Sequence, residues 1–202
     1  TRLAVDLSND AKQTLRFFKK NLEQQPKNIP YQYGYALALS KNLQTEKALL
    51  ILTKLTKEMP DEIYFTLSLA EIQTASNDYK SAIKTLEAQQ LFYPTYFPLI
   101  IQTSTTLIKA KQYSAAIKLM KKHYRHYKTN LLFLDTYQRA LGENGNLAES
   151  YQIRAKIYLS LKQPKAALQQ LVLAKKQPGL NDYQKASIEA QIKQLQKKQK
   201  TN

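Results

Sequence analysis

The sequence predicts an all-α fold in which antiparallel helix pairs stack into a superhelical solenoid. Three prolines are equally spaced along the chain, and three alanines share the same spacing. The two sets are Pro26, Pro60 and Pro94, and Ala48, Ala82 and Ala116. The chain also has only 4 Gly and 7 Pro among 202 residues, while 43% of its residues are hydrophobic. This composition is typical of helices around a core and not of a disordered chain.

The shared spacing is the period of the tetratricopeptide repeat, a pair of antiparallel helices that recurs every ~34 residues. Small residues let the two helices approach each other, and Pro ends the second helix. An ordinary helical bundle is the alternative interpretation, but unrelated helix packing predicts no shared period.

We predict a single domain, 1–202, that divides into successive repeats. After the third full repeat the sequence marks shift by half a period, because Ala167 lies one and a half periods after Ala116. The predicted segments are a partial first repeat at 1–28, full repeats at 29–62, 63–96 and 97–130, a degenerate helix pair at 131–161, a phase-shifted repeat at 148–181 and a C-terminal capping helix at 182–202.

The charge balance is strongly basic. The chain has 31 Lys and Arg and 15 Asp and Glu, which gives a formal net charge of +16. Such an excess favours nucleic acid, anionic lipid or acidic proteins as partners, but it does not distinguish among them. The chain has no Cys, which excludes a disulfide framework and a thiolate metal site. Because the segment that starts at Thr1 lacks the pattern of a signal peptide, we expect a fragment or mature segment of a longer protein.

Metal binding would have to use His123 and His126, the two histidines of the sequence. Their spacing of three places them on one helix face, which suits metal ligands. The segment 109–128 around them, however, contains Lys and Arg and no acid, so a third ligand is missing and the local charge repels a cation. We therefore predict no metal site, no cofactor and no catalytic site in this chain.

The same segment mixes cations with aromatic residues, as nucleic-acid binders do. The candidate basic patch is Lys118, Lys121, Lys122, Arg125 and Lys128. The other interpretation is one amphipathic helix, whose packed face recurs at intervals of three and four: Leu119, Met120, His123, Tyr124 and Tyr127. This interpretation disfavours nucleic acid, whereas an anionic membrane surface stays open as a partner.

A second candidate surface follows the first helices of the repeats, which line the concave side of such an array. Exposed apolar side chains among polar ones suit an extended peptide or a partner loop. The candidate residues are Tyr33, Leu37, Tyr64, Leu67, Glu71, Ile101, Gln102, Thr105, Asp135, Arg139, Gln152 and Lys156. Alternatively, some of the apolar members pack against neighbouring helices. The groove positions that hold the acidic C-terminus of a chaperone in cytosolic cochaperones carry no cation here, which disfavours that class of partner.

Three stretches, 33–39, 154–159 and 182–192, carry a narrower likeness. With them the chain resembles the C-terminal repeat region of periplasmic zinc metalloproteases of the β-barrel assembly-enhancing type. The resemblance implies a periplasmic location and binding to the outer-membrane assembly machinery and its substrates. It also implies zinc only in a preceding peptidase domain, because no His-Glu-x-x-His motif occurs in this chain. The rival hypothesis is a free-standing basic adaptor for nucleic acid or an anionic membrane surface.

Overall fold

A computed structural model describes residues 10–200, and every regular element in this range is an α-helix. The helices are α1 (Ala11–Gln24), α2 (Ile29–Lys41), α3 (Thr45–Glu58), α4 (Ile63–Ala75), α5 (Tyr79–Gln90), α6 (Phe97–Lys109), α7 (Tyr113–Tyr127), α8 (Leu131–Glu143), α9 (Leu147–Ser160), α10 (Pro164–Lys175) and α11 (Asp182–Lys200). The predicted all-α class is confirmed. Residues 1–9 of the predicted partial repeat and residues 201–202 of the predicted cap lie outside the described range.

The chain forms two compact units. The first ends at Thr106 and the second begins at Leu107, so the division falls within α6. The first unit contains α1 to α5 and most of α6, and the second contains α7 to α11. None of the helices in the described part of the chain has the length and apolar character needed to cross a membrane.

The starts of the helices keep the period of the sequence. First helices begin at Ile29, Ile63, Phe97 and Leu131, and second helices begin at Thr45, Tyr79, Tyr113 and Leu147. Both sets advance by one full period at each step, as the prolines and alanines do. The period therefore sets the positions of whole helices, including α8 and α9, which correspond to the predicted degenerate pair at 131–161.

Local sequence explains where several helices begin. The side chain of Asn28 accepts a hydrogen bond from the backbone N–H of Tyr31 at 3.0 Å, and Asn130 does the same for Phe133 at 3.0 Å. These side-chain caps satisfy backbone donors that lack a partner in the first turn. Pro30 follows the first cap within the first turn of α2, where its fixed φ suits the helix.

A left-handed residue recurs in the turns with the same period. The residues with positive φ in this series are Leu43, Asn77, Lys111, Gly145 and Gly179. Only glycine adopts this conformation without strain from a side chain. The turns at Leu43 and Lys111 therefore store backbone strain that the turn at Gly145 does not.

Replacing Leu43 by Gly should raise the free energy of unfolding by about 0.5–1 kcal/mol, because φ at this residue is 60° and its side chain is 90% exposed. Chemical denaturation of the parent and the variant measures the difference. Leu50→Gly is the matched control, since Leu50 is also solvent-facing but lies inside α3, where Gly should lower stability by about 1 kcal/mol. Equal losses in both variants would contradict the strained turn.

Helix α9 is joined to both of its neighbours by the same kind of short turn. The backbone N–H of Asn146 donates to the carbonyl of Leu141 at 2.9 Å, and that of Gln163 donates to Tyr158 at 2.8 Å. The second turn contains Lys162 with φ 57°, like the left-handed residues within the earlier pairs. The predicted segments 131–161 and 148–181 overlap in α9, and the structure connects this helix to α8 and α10 alike.

The core of each unit runs between helices that are neighbours in the sequence. In the first unit, Phe18 of α1 packs into a cluster with Leu39 of α2 and Leu52 of α3. In the second unit, Ala155 of α9 and Ala167 of α10 belong to one buried cluster. A close contact between two helices requires small residues, and Ala155 and Ala167 provide them between α9 and α10. Ala167 is the alanine that lies half a period out of step with Ala116.

Candidate functional site

An apolar recess of about 460 Å³ lies at the start of α2 and α4 in the first unit. We call it the tyrosine recess, and its lining residues are Ile29, Pro30, Tyr33, Met59, Glu62, Tyr64 and Phe65. Helix starts position four of these residues, because Ile29 and Pro30 open α2 while Tyr64 and Phe65 stand in the first turn of α4. The recess therefore lies between the starts of two successive first helices, α2 and α4.

The two tyrosines of the recess differ in accessibility. Tyr33 is 7% exposed, its ring centroid lies 5.1 Å from that of Phe65, and its hydroxyl shares a hydrogen bond of 2.8 Å with Ser68. Tyr64 is 58% exposed. Burial, and after it the neighbouring Tyr64 hydroxyl, raises the pKa of Tyr96, which precedes α6. Tyr33 is therefore a buried part of the recess wall, and Tyr64 is the ring that is accessible to solvent.

The predicted first-helix residues of this unit differ in solvent exposure. Tyr33, Leu37 and Leu67 are buried, which differs from the exposure expected for them. The half-buried members are Ile101, Gln102 and Thr105, and the exposed ones are Tyr64 and Glu71. The buried three pack because successive first helices lie side by side. The Gln102 side-chain amide, for example, donates to the backbone carbonyl of Leu67 at 2.7 Å.

In the second unit, the predicted surface residues lie on α8 and α9. Asp135 and Arg139 are exposed on α8, and Gln152 and Lys156 are half-buried on α9. Gln152 and Lys156 line a recess of about 230 Å³ between α7, α8 and α9, together with Lys121, Tyr124, Tyr137, Glu149 and Ile153. We call it the α7–α9 recess.

Polar groups in the α7–α9 recess bind one another. Glu149 accepts a hydrogen bond of 2.7 Å from the Tyr137 hydroxyl and forms an ion pair of 3.3 Å with Lys121. Lys156 donates to the hydroxyl of Tyr124, and its ammonium also lies 4.9 Å from the centre of that ring. Burial, and then the Glu149 carboxylate, raises the pKa of Tyr137, so this phenol keeps its proton at neutral pH. The recess is therefore a satisfied polar network.

The predicted basic patch is solvent-facing. All five of its side chains are exposed on or just after α7: Lys118, Lys121, Lys122, Arg125 and Lys128. The predicted packed face of the same helix is covered, with Met120 and His123 buried and Leu119, Tyr124 and Tyr127 half-buried. The segment is one amphipathic helix, as its second interpretation predicts.

The two histidines have different environments. His123 is 4% exposed, whereas His126 is exposed. Burial, and then the charges of Lys122 and His126, lowers the pKa of His123, which favours its neutral form. Within residues 10–200, no three or more His, Cys, Asp and Glu side chains come together as metal ligands would.

Sequence reasoning missed several residues of the two recesses. Pro30 and Met59 carry no signal, because each looks like an ordinary residue at a helix boundary. Glu149 could have been found, since it is an acid on a helix that the repeat period places near the basic α7.

No protein-family model and no curated protein matches the sequence. Solved structures do match. A tetratricopeptide repeat protein from Parabacteroides merdae superposes with a TM-score of 0.59 and 15% identity, covering 92% of this chain and 78% of that one. A thermophilic protein of the same repeat type from Thermus thermophilus gives a TM-score of 0.52 and 19% identity over 94% of this chain and 95% of its own. YrrB, described as a repeat protein of this type with an unusual peptide-binding site, gives 0.50 and 15% over 86% and 97%. These likenesses show that the chain has the tetratricopeptide-repeat fold.

Proposed function

We propose that the chain is a protein-interaction module that holds an extended peptide or a partner loop against its first helices. The observation that supports this most directly is the tyrosine recess, where the exposed Tyr64 stands over apolar walls from Ile29, Met59 and Phe65. Aromatic anchors in desolvated pockets supply most of the binding free energy in protein interfaces. The peptide-binding site in the description of YrrB, which shares the fold, supports this function class.

The rest of the first-helix face offers polar contacts around that anchor. Glu71 of α4 and Thr105 of α6 are accessible, and Ile101 adds half-exposed apolar surface. This surface of the first unit suits a segment with one large apolar side chain and polar flanks. The second unit, taken by itself, exposes one charge of each sign on α8, at Asp135 and Arg139.

We further propose that this module belongs to a periplasmic zinc metalloprotease and engages the outer-membrane assembly machinery and its substrates. The support is the sequence resemblance in the stretches 33–39, 154–159 and 182–192. In this proposal zinc is held by a separate peptidase domain, and this chain contributes binding and no catalysis.

Replacing Tyr64 by Ala should weaken binding of a purified outer-membrane assembly subunit by about 1–3 kcal/mol, because the variant loses the accessible ring of the recess. The thermal melt should stay nearly unchanged, since the ring is largely solvent-exposed. Calorimetric titration measures the affinity. Tyr183→Ala is the matched control, because Tyr183 is also an accessible ring but lies on α11, and it should bind as the parent does. Equal losses in both variants would exclude the recess as the anchor site.

The rival function is a basic adaptor for nucleic acid or an anionic membrane surface, and the observation that favours it is the exposed patch on α7. Neutralising Lys118, Lys121 and Lys122 together should mainly slow association and flatten its salt dependence if these charges only steer the encounter. The measurement is a titration at two ionic strengths. Loss of binding at both, with Tyr64→Ala unaffected, would assign the function to the basic patch instead.

A further inference from the structure

The second unit contains two recesses that both involve α9. The α7–α9 recess lies over α8, and a larger one of about 820 Å³ lies between α9 and α11 over α10. The larger recess, here the α9–α11 recess, is lined by Ala155, Lys156, Leu159, Lys162, Pro164, Lys165, Leu171, Gln191, Gln194 and Leu195. It lies on other helices than the tyrosine recess.

Two lining positions of the recesses correspond by one repeat period. Lys121 and Tyr137 line the smaller recess, and one period later Ala155 and Leu171 line the larger one. At both positions the larger recess has the smaller side chain, which leaves more room there. Its α11 lining residues, Gln191, Gln194 and Leu195, have no counterpart among the residues that line the smaller recess.

The chemistry of the two recesses also differs. In the smaller one, Glu149 neutralises Lys121 and accepts from Tyr137. The larger one has an apolar wall from Ala155, Leu159, Leu171 and Leu195, and its lining contains no acid.

Its cations are placed at the α9–α10 turn. Lys162 and Lys165 are both exposed there, and neither has an ion-pair partner among the side chains that the structure describes. The third, Lys156, is already directed to Tyr124. The recess thus offers two unpaired positive charges at one end of an apolar trough.

We propose that the α9–α11 recess binds a monomeric anionic amphiphile, an acyl chain that carries a carboxylate. The acyl chain lies on Leu159 and Leu195, above the buried Leu171, and the carboxylate meets the ammonium groups of Lys162 and Lys165. The volume falls in the range of about 300–1,000 Å³ that is usual for small-molecule sites. Charge complementarity sets the sign of the ligand, because the recess contributes cations and no anion.

The test is a calorimetric titration of the whole chain with sodium dodecanoate below its micelle concentration. Saturable binding of one molecule per chain is expected. The double variant Lys162→Gln with Lys165→Gln should bind roughly tenfold more weakly, equivalent to about 1.4 kcal/mol. The control Lys176→Gln with Lys193→Gln removes two nearby charges outside the recess and should bind as the parent does. Equal weakening in both double variants would overturn the proposal, since it would reveal attraction by net charge alone.

Two further arms test the apolar wall and the source of the ligand. Leu159→Gln should weaken dodecanoate binding while leaving the thermal melt in place, because Leu159 is 41% exposed. Shortening the probe to octanoate should weaken binding roughly threefold to fourfold per methylene that was buried. Equal binding of dodecyltrimethylammonium would overturn the assigned charge. Binding of phosphatidylglycerol vesicles without any binding of dodecanoate would overturn the monomeric ligand in favour of a membrane surface.

Discussion

Gly34→Ala should lower the free energy of unfolding by about 1–3 kcal/mol, because a Cβ atom at this position of α2 would overlap the Cε1, Cδ1 and Cζ atoms of the Phe18 ring. That ring is 5% exposed and packed in the core of the first unit, so it can move only by disturbing its neighbours. The overlap outweighs the gain in helix propensity, which is at most about 1 kcal/mol for Gly to Ala. Chemical denaturation measures the change.

The same substitution at Gly142 should have the opposite sign. Its added Cβ would meet Ser150 Oγ at 3.4 Å and Gln138 Nε2 at 3.7 Å, which are ordinary contacts. Because Gly142 lies in the last turn of α8, the gain in helix propensity should be about 0.5 kcal/mol. A stabilised Gly34→Ala variant would show that α1 does not pack against Gly34 as the structure has it.

The helical layout could be predicted from the sequence because it depends on local patterns. Prolines end helices and alanines permit close helix contacts, and both signals recur with each repeat. The repeat period consequently gave the positions of α2 to α7 before any tertiary contact was known. The amphipathic character of α7 followed in the same way, since Met120 and His123 lie on its buried face.

The burial of the side chains on the first helices could not be predicted, because it depends on how neighbouring repeats pack against each other. Tyr33 looks exposed on α2 alone, but in the structure it contacts Ser68 and Phe65 of α4 and is buried. These partners belong to the next repeat along the chain, and helical periodicity within one element does not report them. The same holds for the α9–α11 recess. Its volume depends on how far apart α9, α10 and α11 lie, which the sequence does not give.

Buried alanines occur in two different helix contacts, which the sequence alone does not distinguish. Ala82 and Ala116 recur with the period and are fully buried on second helices. Ala155 and Ala167 also lie in a buried cluster, but they line the contact between α9 and α10. A close helix contact selects small residues wherever it occurs, so alanine alone does not tell which pair of helices meets.

Ala116→Glu should have the largest effect of the substitutions considered, a loss of about 3–5 kcal/mol, because an unpaired charge would be buried. Ala116 is 0% exposed, so the new carboxylate would be buried at a site that holds a methyl group in the parent. Burying a charge in this way removes its hydration and also forces added volume into a packed core. Ala82→Leu tests volume alone at the equivalent position of α5 and should cost about 1–3 kcal/mol. Thermal and chemical denaturation give both differences.

Controls lie on the same two helices. Ala115→Glu adds the same charge at the neighbouring, exposed position of α7, and it should change stability by less than about 0.5 kcal/mol. Ala88→Leu adds the same volume at an exposed position of α5 and should also be nearly neutral. If Ala116→Glu and Ala115→Glu unfold alike, α7 does not bury the face that carries Ala116, and the helix register derived from the period fails. A clear gap between the two glutamates, with a smaller gap between the two leucines, is the expected result, because charge burial adds to overpacking only at Ala116.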